Sequence, residues 1–166
     1  MDRIFDIALV LLISGIALIA LLASVAILFP RPVEKTRDIL AASFGRSFLL
    51  GLVNFLFFGA ITALLVRFAR DAHGLITAIL ALVALLLALA LTVFSLLGLS
   101  ALTSLAGERI GEGTSLFRRH LRGSLLLVLA GLTPYIGWFA FAPLVLLTSL
   151  GAGIQAWFRK EPKATS

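Results

Sequence analysis

Four stretches of this sequence carry no Asp, Glu, Lys, Arg or His: Ile7–Phe29, Ser47–Val66, Gly74–Gly107 and Gly123–Phe158. A helix rises 1.5 Å per residue and the hydrocarbon core of a bilayer is about 30 Å thick, so roughly 20 residues make one crossing. The first two runs each fit one crossing. The third, 34 residues long, would span about 50 Å as a helix. It is too short to cross twice, so its Ser/Thr-dotted end, "GLSALTSLAG", is expected to tilt or to extend past the lipid. With 61% hydrophobic and 13% charged residues, the chain departs from soluble domains, where these classes stand near about one half and one quarter. The expectation is one all-α integral membrane domain over residues 1–166, a polytopic helical bundle. Its spans are placed at 7–29, 47–66 and 75–100, followed by a proline-broken element at 123–158.

The charges fall between these runs. The net charge of +6 belongs to short basic segments, which in this setting point to anionic lipid headgroups and to no nucleic acid. Pro30 and Pro32 stop the first helix. Asp2 and Asp6 flank Arg3, and the run behind them exceeds an ordinary signal core, so the first segment reads as a retained anchor. Beyond the prolines, Ile39, Leu40, Phe44 and Phe48 have helical spacing, either as a short interfacial approach or as the start of the second span.

The last run raises the main question, because "GLTPYIGWFAFAP" (Gly131–Pro143) interrupts it. Two arrangements are open. In one it is a single kinked crossing that makes four spans. In the other it is a hairpin turning at Pro134, Tyr135 and Gly137. The kinked crossing divides the 14 Lys and Arg eight to six across the membrane, whereas the hairpin divides them eleven to three, and the positive-inside rule favours the hairpin. Segments 30–46 and 108–122 are then cytoplasmic. Trp138 and Trp157 lie 19 residues apart, about 28 Å along a helix, and are expected as interfacial anchors. The first arm, Gly123–Thr133, is short and expected to be covered by other helices, with Pro143 kinking the second. Arg118, Arg119, Arg122, Arg159 and Lys160 are the expected headgroup contacts.

Polar residues inside the runs are few. Asn54 is the costliest to leave unpaired in lipid and is expected to bond a neighbouring helix; Ser14, Thr62, Thr77, Thr92 and Ser95 could do the same or bond back to their own carbonyls. Gly59 with Ala63 and Ser100 with Ser104 allow close helix approach. His73 and His120 both read as solvated loop residues. The chain lacks cysteine, and no HExxH, elbow serine, P-loop or intramembrane acidic pair is present. No catalytic, metal or cofactor site is therefore expected.

The stretch "LTSLAGERIG…RGSLLLVLAGLTPYIGWFAFAPLVLLTSLGAGIQAWF" resembles the C-terminal membrane domain fused in many bacterial proteins to bactofilin-like polymer-forming segments. The matching positions are Gly107, Pro134, Gly137, Gly151, Ala152 and Gly153. The chain departs from that pattern in showing no polymerising segment before its first helix and no Gly-x-Pro in "FFGAITA". The resemblance implies an anchor or scaffold in a bacterial inner membrane, with no catalytic residues to carry over. Two functions are expected: the absence of buried charge and of catalytic constellations points to a non-enzymatic scaffold or accessory subunit packing with other membrane subunits or with its own copies, and the proline-broken hairpin to a small oligomeric channel or transporter. Asn54, Thr133 and Tyr135 would line the channel.

Overall fold

A computed structural model describes residues 2–110, 115–133 and 135–158. All regular structure among them is helical: α1 (Asp2–Leu28), α2 (Pro30–Ala42), α3 (Phe44–Asp71), α4 (Leu75–Glu108), α5 (Leu116–Leu132) and α6 (Ala142–Phe158), with a π-helical turn at Gly137–Phe141 leading into α6. Four segments are long and apolar enough to cross a membrane: Phe5–Leu28, Phe44–Asp71, Leu75–Glu108 and Gly137–Phe158. The fourth lies wholly beyond the proline-containing turn. With 17 residues and four charge-bearing or titratable side chains in its first two turns, α5 does not join them.

Pro30 ends α1, but the segment behind it is not the loop its charges suggest. Proline is tolerated at the first helical position, where its missing N–H would have no intrahelical partner, and α2 starts on Pro30 itself. Its buried residues, Val33, Thr36, Ile39 and Leu40, recur every three to four positions. They make one face, and that face packs on α4 and α6. The expected approach over 39–48 is split, because Ser43 leaves helical geometry (φ −154°, ψ 65°) and separates α2 from α3. Likewise "FRRHLR" forms the opening of α5 rather than a loop.

The turn of the broken element is sharp. In a continuous helix, residues seven apart are separated by about 10 Å, yet a Cβ built on Gly137 would come within 2.6 Å of the Ala130 carbonyl oxygen. Tyr135 makes the corner in the left-handed region (φ 64°), the Gly137 N–H donates to Thr133 O at 2.9 Å, and Phe139 donates to Tyr135 O at 2.9 Å. Pro134 lies outside the described residues. Pro143 cannot donate to Phe139 O, and the widened hydrogen-bond pattern sits just upstream, with Ala142 N–H reaching back five residues to Gly137 O. The two arms then diverge. Each packs on α4 rather than on the other. The first arm is covered on one side only: Gly123 and Ser124 are buried, whereas Leu125, Leu126, Leu129 and Leu132 are exposed. A helix that packs through small residues on one narrow stripe leaves its large residues facing outward, which is why the expected full covering does not occur.

Three crossings hold the bundle, all built alike. Where α4 meets α5, a Cβ on Gly107 would collide with Arg119 O and one on Gly123 with Thr103 O. Where α3 meets α6, Gly51 faces Leu147 O and Gly151 faces Ser47 O. Where α4 meets α6, Gly98 faces Ser149 O and Gly153 faces Phe94 O. In each crossing two residues four apart on one helix meet two residues four apart on the other, and a glycine on each side rests on the opposite carbonyl. Between helices in lipid there is little hydrophobic drive, so such close approach is where attraction comes from, including Cα–H···O contacts of about 0.5–1 kcal/mol each. Gly59 has no atom within 4 Å of its would-be Cβ and takes no part.

The crossings concentrate at one end of α4. Gly98, Ser100, Ala101, Leu102, Thr103, Ser104 and Gly107 are buried, while of the helix's first 23 residues only Ala84 is. The Ser/Thr-dotted end is the part of α4 most covered by protein. The opposite end is bare: within the most apolar windows of α1, α3 and α4, 11%, 6% and 6% of residues are buried, against 44% for Gly137–Phe158.

Candidate functional site

Glu108 closes α4 and gathers two guanidinium groups. Arg37 of α2 reaches its carboxylate at 2.8 Å (Oε2) and 3.0 Å (Oε1), and Arg119 of α5 stands 3.9 Å away. The residues come from segments 71 and 11 positions distant in sequence, so this one acid draws together α2, the end of α4 and the start of α5. Arg119 is partly buried beside this carboxylate, whereas Arg118 and Arg122 are exposed. Arg159 and Lys160 lie outside the described residues.

One residue beyond Arg119, His120 is buried rather than solvated. The reason is local: α5 begins at Leu116, so His120 sits on a helix whose inner stripe faces α4. Its Nδ1 lies 3.2 Å from Thr103 Oγ1, and Thr103 spends its single hydroxyl hydrogen on Ser100 O at 2.7 Å. Nδ1 must therefore carry the hydrogen and donate to Thr103. Burial pushes the imidazole below its ordinary 6.5, and the Arg119 charge pushes the same way, which keeps the ring neutral. Thr103 and His120 have the composition of a nucleophile and a base, but Thr103 is fully buried and its proton is already committed. The pair acts as a strut between α4 and α5. His73, by contrast, is exposed.

The strut belongs to a buried polar seam. Ser100 Oγ donates to Leu22 O of α1 at 2.9 Å, and Gln155 donates to Ser47 Oγ across α6 and α3 at 3.1 Å. Ser47, Thr148, Ser149 and Ser124 are also fully buried. Among the described residues no partner reaches the hydroxyls of Ser124 and Ser149. Sequence reasoning missed this seam. Its one visible signal was "LTSL", present at Leu102–Leu105 and again at Leu147–Leu150, which places a Thr-Ser pair beside the crossing glycines of both α4 and α6.

The expected polar contact at Asn54 is corrected: its Nδ2 donates to Leu50 O in its own helix at 2.7 Å, as the hydroxyls of Thr62 and Thr92 do to Phe58 O and Ala88 O. A carbonyl four residues back is always within reach of a short polar side chain, whereas a neighbouring helix is not. Asn54 instead lines an apolar cleft with Phe58, Phe94 and Trp157. Thr133 and Tyr135 are exposed at the turn. Trp138 and Trp157 are both exposed. Among the described residues no three metal-binding side chains converge. No family model, curated protein or solved structure matches the chain.

Proposed function

We propose that this protein is a non-enzymatic scaffold or accessory subunit of a bacterial inner membrane, which holds partner membrane proteins, or copies of itself, along its bare helices. The observation that carries this reading is the uneven burial of α1, α3 and α4. The crossing glycines Gly51, Gly98 and Gly107 and the buried hydroxyls of Ser47, Ser100, Thr103 and Ser104 lie towards one end, where the chain packs on itself. The other end presents long apolar faces such as Val10, Ile13, Leu56, Leu82 and Leu86, all exposed. The likeness to the bactofilin-associated membrane domain points to the same role. The test is to solubilise native membranes in mild detergent after cross-linking and weigh the particles that contain the chain. An assembly with a second membrane protein or a second copy is expected, and a lone 17.7 kDa chain would remove the reading.

A small channel is the second reading. It is favoured by the wide cleft of about 670 Å³ between α3 and α4, walled by Gly59, Thr62 and Ala63 with Arg67 and Arg70 among its lining. Solute flux through proteoliposomes distinguishes it, since a scaffold conducts nothing. For orientation, the proposal places segments 30–46 and 108–122 and the C-terminus on the cytoplasmic side. The Arg37–Glu108–Arg119 cluster supports a common side for the two segments by drawing them together.

A further inference from the structure

We propose that the apolar cleft between α3, α4 and α6 binds the head ring of a lipophilic quinone, with Asn54 as the hydrogen-bonding group that holds one ring carbonyl. The proposal uses the membrane setting of the preceding reading but neither the scaffold nor the channel, so it stands or falls separately from both.

The cleft encloses about 330 Å³ and takes its walls from three helices: Asn54 and Phe58 of α3, Leu87, Ala90 and Phe94 of α4, and Trp157 of α6. All three helices belong to segments long and apolar enough to cross a membrane, so a ligand of this cleft arrives dissolved in lipid. Pockets for small ligands begin at about 300 Å³. That size suits one substituted ring, with an attached tail running out into the bilayer. The walls themselves are aromatic. Phe94 and Trp157 stand edge to face, with ring centroids 6.1 Å apart, and Phe58 adds a third ring. A flat π system gains from offset and edge contacts with such walls beyond what buried area alone supplies, whereas an acyl chain gains only the area.

Asn54 supplies the polar half of the recognition. Its Nδ2 spends one hydrogen on Leu50 O at 2.7 Å, and because a carbonyl oxygen only accepts, this bond fixes which end of the amide faces the backbone. A primary amide carries two hydrogens and an acceptor oxygen. One N–H and Oδ1 therefore remain, without a partner among the described residues. Thr62 and Thr92 make the same bond back along their helices, but a hydroxyl has one hydrogen and theirs is spent. Asn54 still has one to give. A half-buried amide hydrogen in apolar surroundings costs free energy until it finds an acceptor. A ring carbonyl accepts it, and the neighbouring Oδ1 accepts the hydroxyl of the reduced ring, so the same amide suits both forms. A phospholipid acyl chain would fill the apolar walls and leave this amide unpaired.

The experiment uses the full chain in detergent with Trp138→Phe, which leaves Trp157 as the reporter of the two tryptophans. Decylubiquinone is titrated in while Trp157 emission is followed, and tryptophan octyl ester in the same micelles corrects for collisions with partitioned quinone. Saturable quenching beyond that reference is expected. Ala90→Phe fills the cleft and should abolish the saturable part. Leu89→Phe, at an exposed side chain outside the lining, should leave it unchanged. Asn54→Thr keeps a hydroxyl for Leu50 O but has no hydrogen left for a ligand. It should weaken binding about 3- to 10-fold, the worth of one hydrogen bond, although threonine meets any purely structural need at this position. An excess of methyl palmitate should not displace the quinone. Circular dichroism of each variant checks that the helices persist. Quenching no greater than the reference, full affinity in Asn54→Thr, equal effects of Ala90→Phe and Leu89→Phe, or displacement by the fatty ester each overturns the proposal.

Discussion

Tyr135 occupies backbone geometry that a side-chain-bearing residue pays for. The left-handed region costs an L-residue about 1–2 kcal/mol, and Tyr135 at φ 64° is exposed, so little packing offsets it. Tyr135→Gly should therefore raise the thermal stability of the detergent-solubilised protein by about 1 kcal/mol, and an unchanged or lower midpoint would show that the ring anchors the turn. His120 sets a second expectation. Its folded-state pKa lies below the ordinary 6.5, so the unfolded chain binds more protons in the interval between the two values, and stability rises with pH there. The protein should be at full stability above pH 6.5 and should lose stability as the pH falls below it. His120→Asn keeps a donor for Thr103 while removing the titration. Melting curves between pH 5 and 7.5 should then be flatter for the variant than for the native chain, and parallel curves would contradict the assignment. Neither feature could be read in advance. Tyr135 follows a proline in a stretch whose turn geometry no spacing rule specifies, and His120 sits among arginines that normally mark a solvated segment.

Elements were more legible than their contacts. Uncharged runs located α1, α3 and α4 because lipid demands an uninterrupted apolar helix, and Pro30 marked the end of α1 because a missing N–H has only a few tolerable places. What the runs concealed is that a charged segment such as α2 can still bury one face. Small residues gave a weaker guide. Gly59 and Ala63 have the spacing of a packing motif and line an open cleft, whereas Gly51, with the same chemistry, is pressed on the Leu147 carbonyl. In a chain with 14 glycines only the facing helix decides which of them matter. That difference is testable by sign. Gly51→Ala places a methyl where a backbone carbonyl stands and should destabilise by about 2–3 kcal/mol. Gly59→Ala meets nothing and should stabilise by up to about 1 kcal/mol through better helix propensity. Chemical denaturation of the two variants side by side checks the pair, and equal responses would mean that the α3–α6 crossing is not as close as described.

At the scale of the whole molecule, the sharp corner between α5 and α6 makes a prediction about sidedness. With the chain reversing there, residues 73 and 164 should face opposite sides of the membrane. The native sequence has no cysteine, so single cysteines at His73 and Ala164 can be labelled in intact cells with an impermeant thiol reagent. Label at position 73 alone is the expected result, and label at both would mean that the last segments cross together. The long apolar helices were readable because an uncharged run is a property of one segment, whereas the seam of Ser, Thr and His residues required knowing which helices touch. The three glycine crossings also bear on how the protein is made. Two of the three involve α6, which follows α3 and α4 in the chain and grips both. While Gly151 and Gly153 are still inside the ribosomal tunnel, the earlier helices can enter the bilayer but lack the element that ties them together. Those two crossings can therefore form only after α6 has been made, so α3 and α4 enter the bilayer before the element that grips them both.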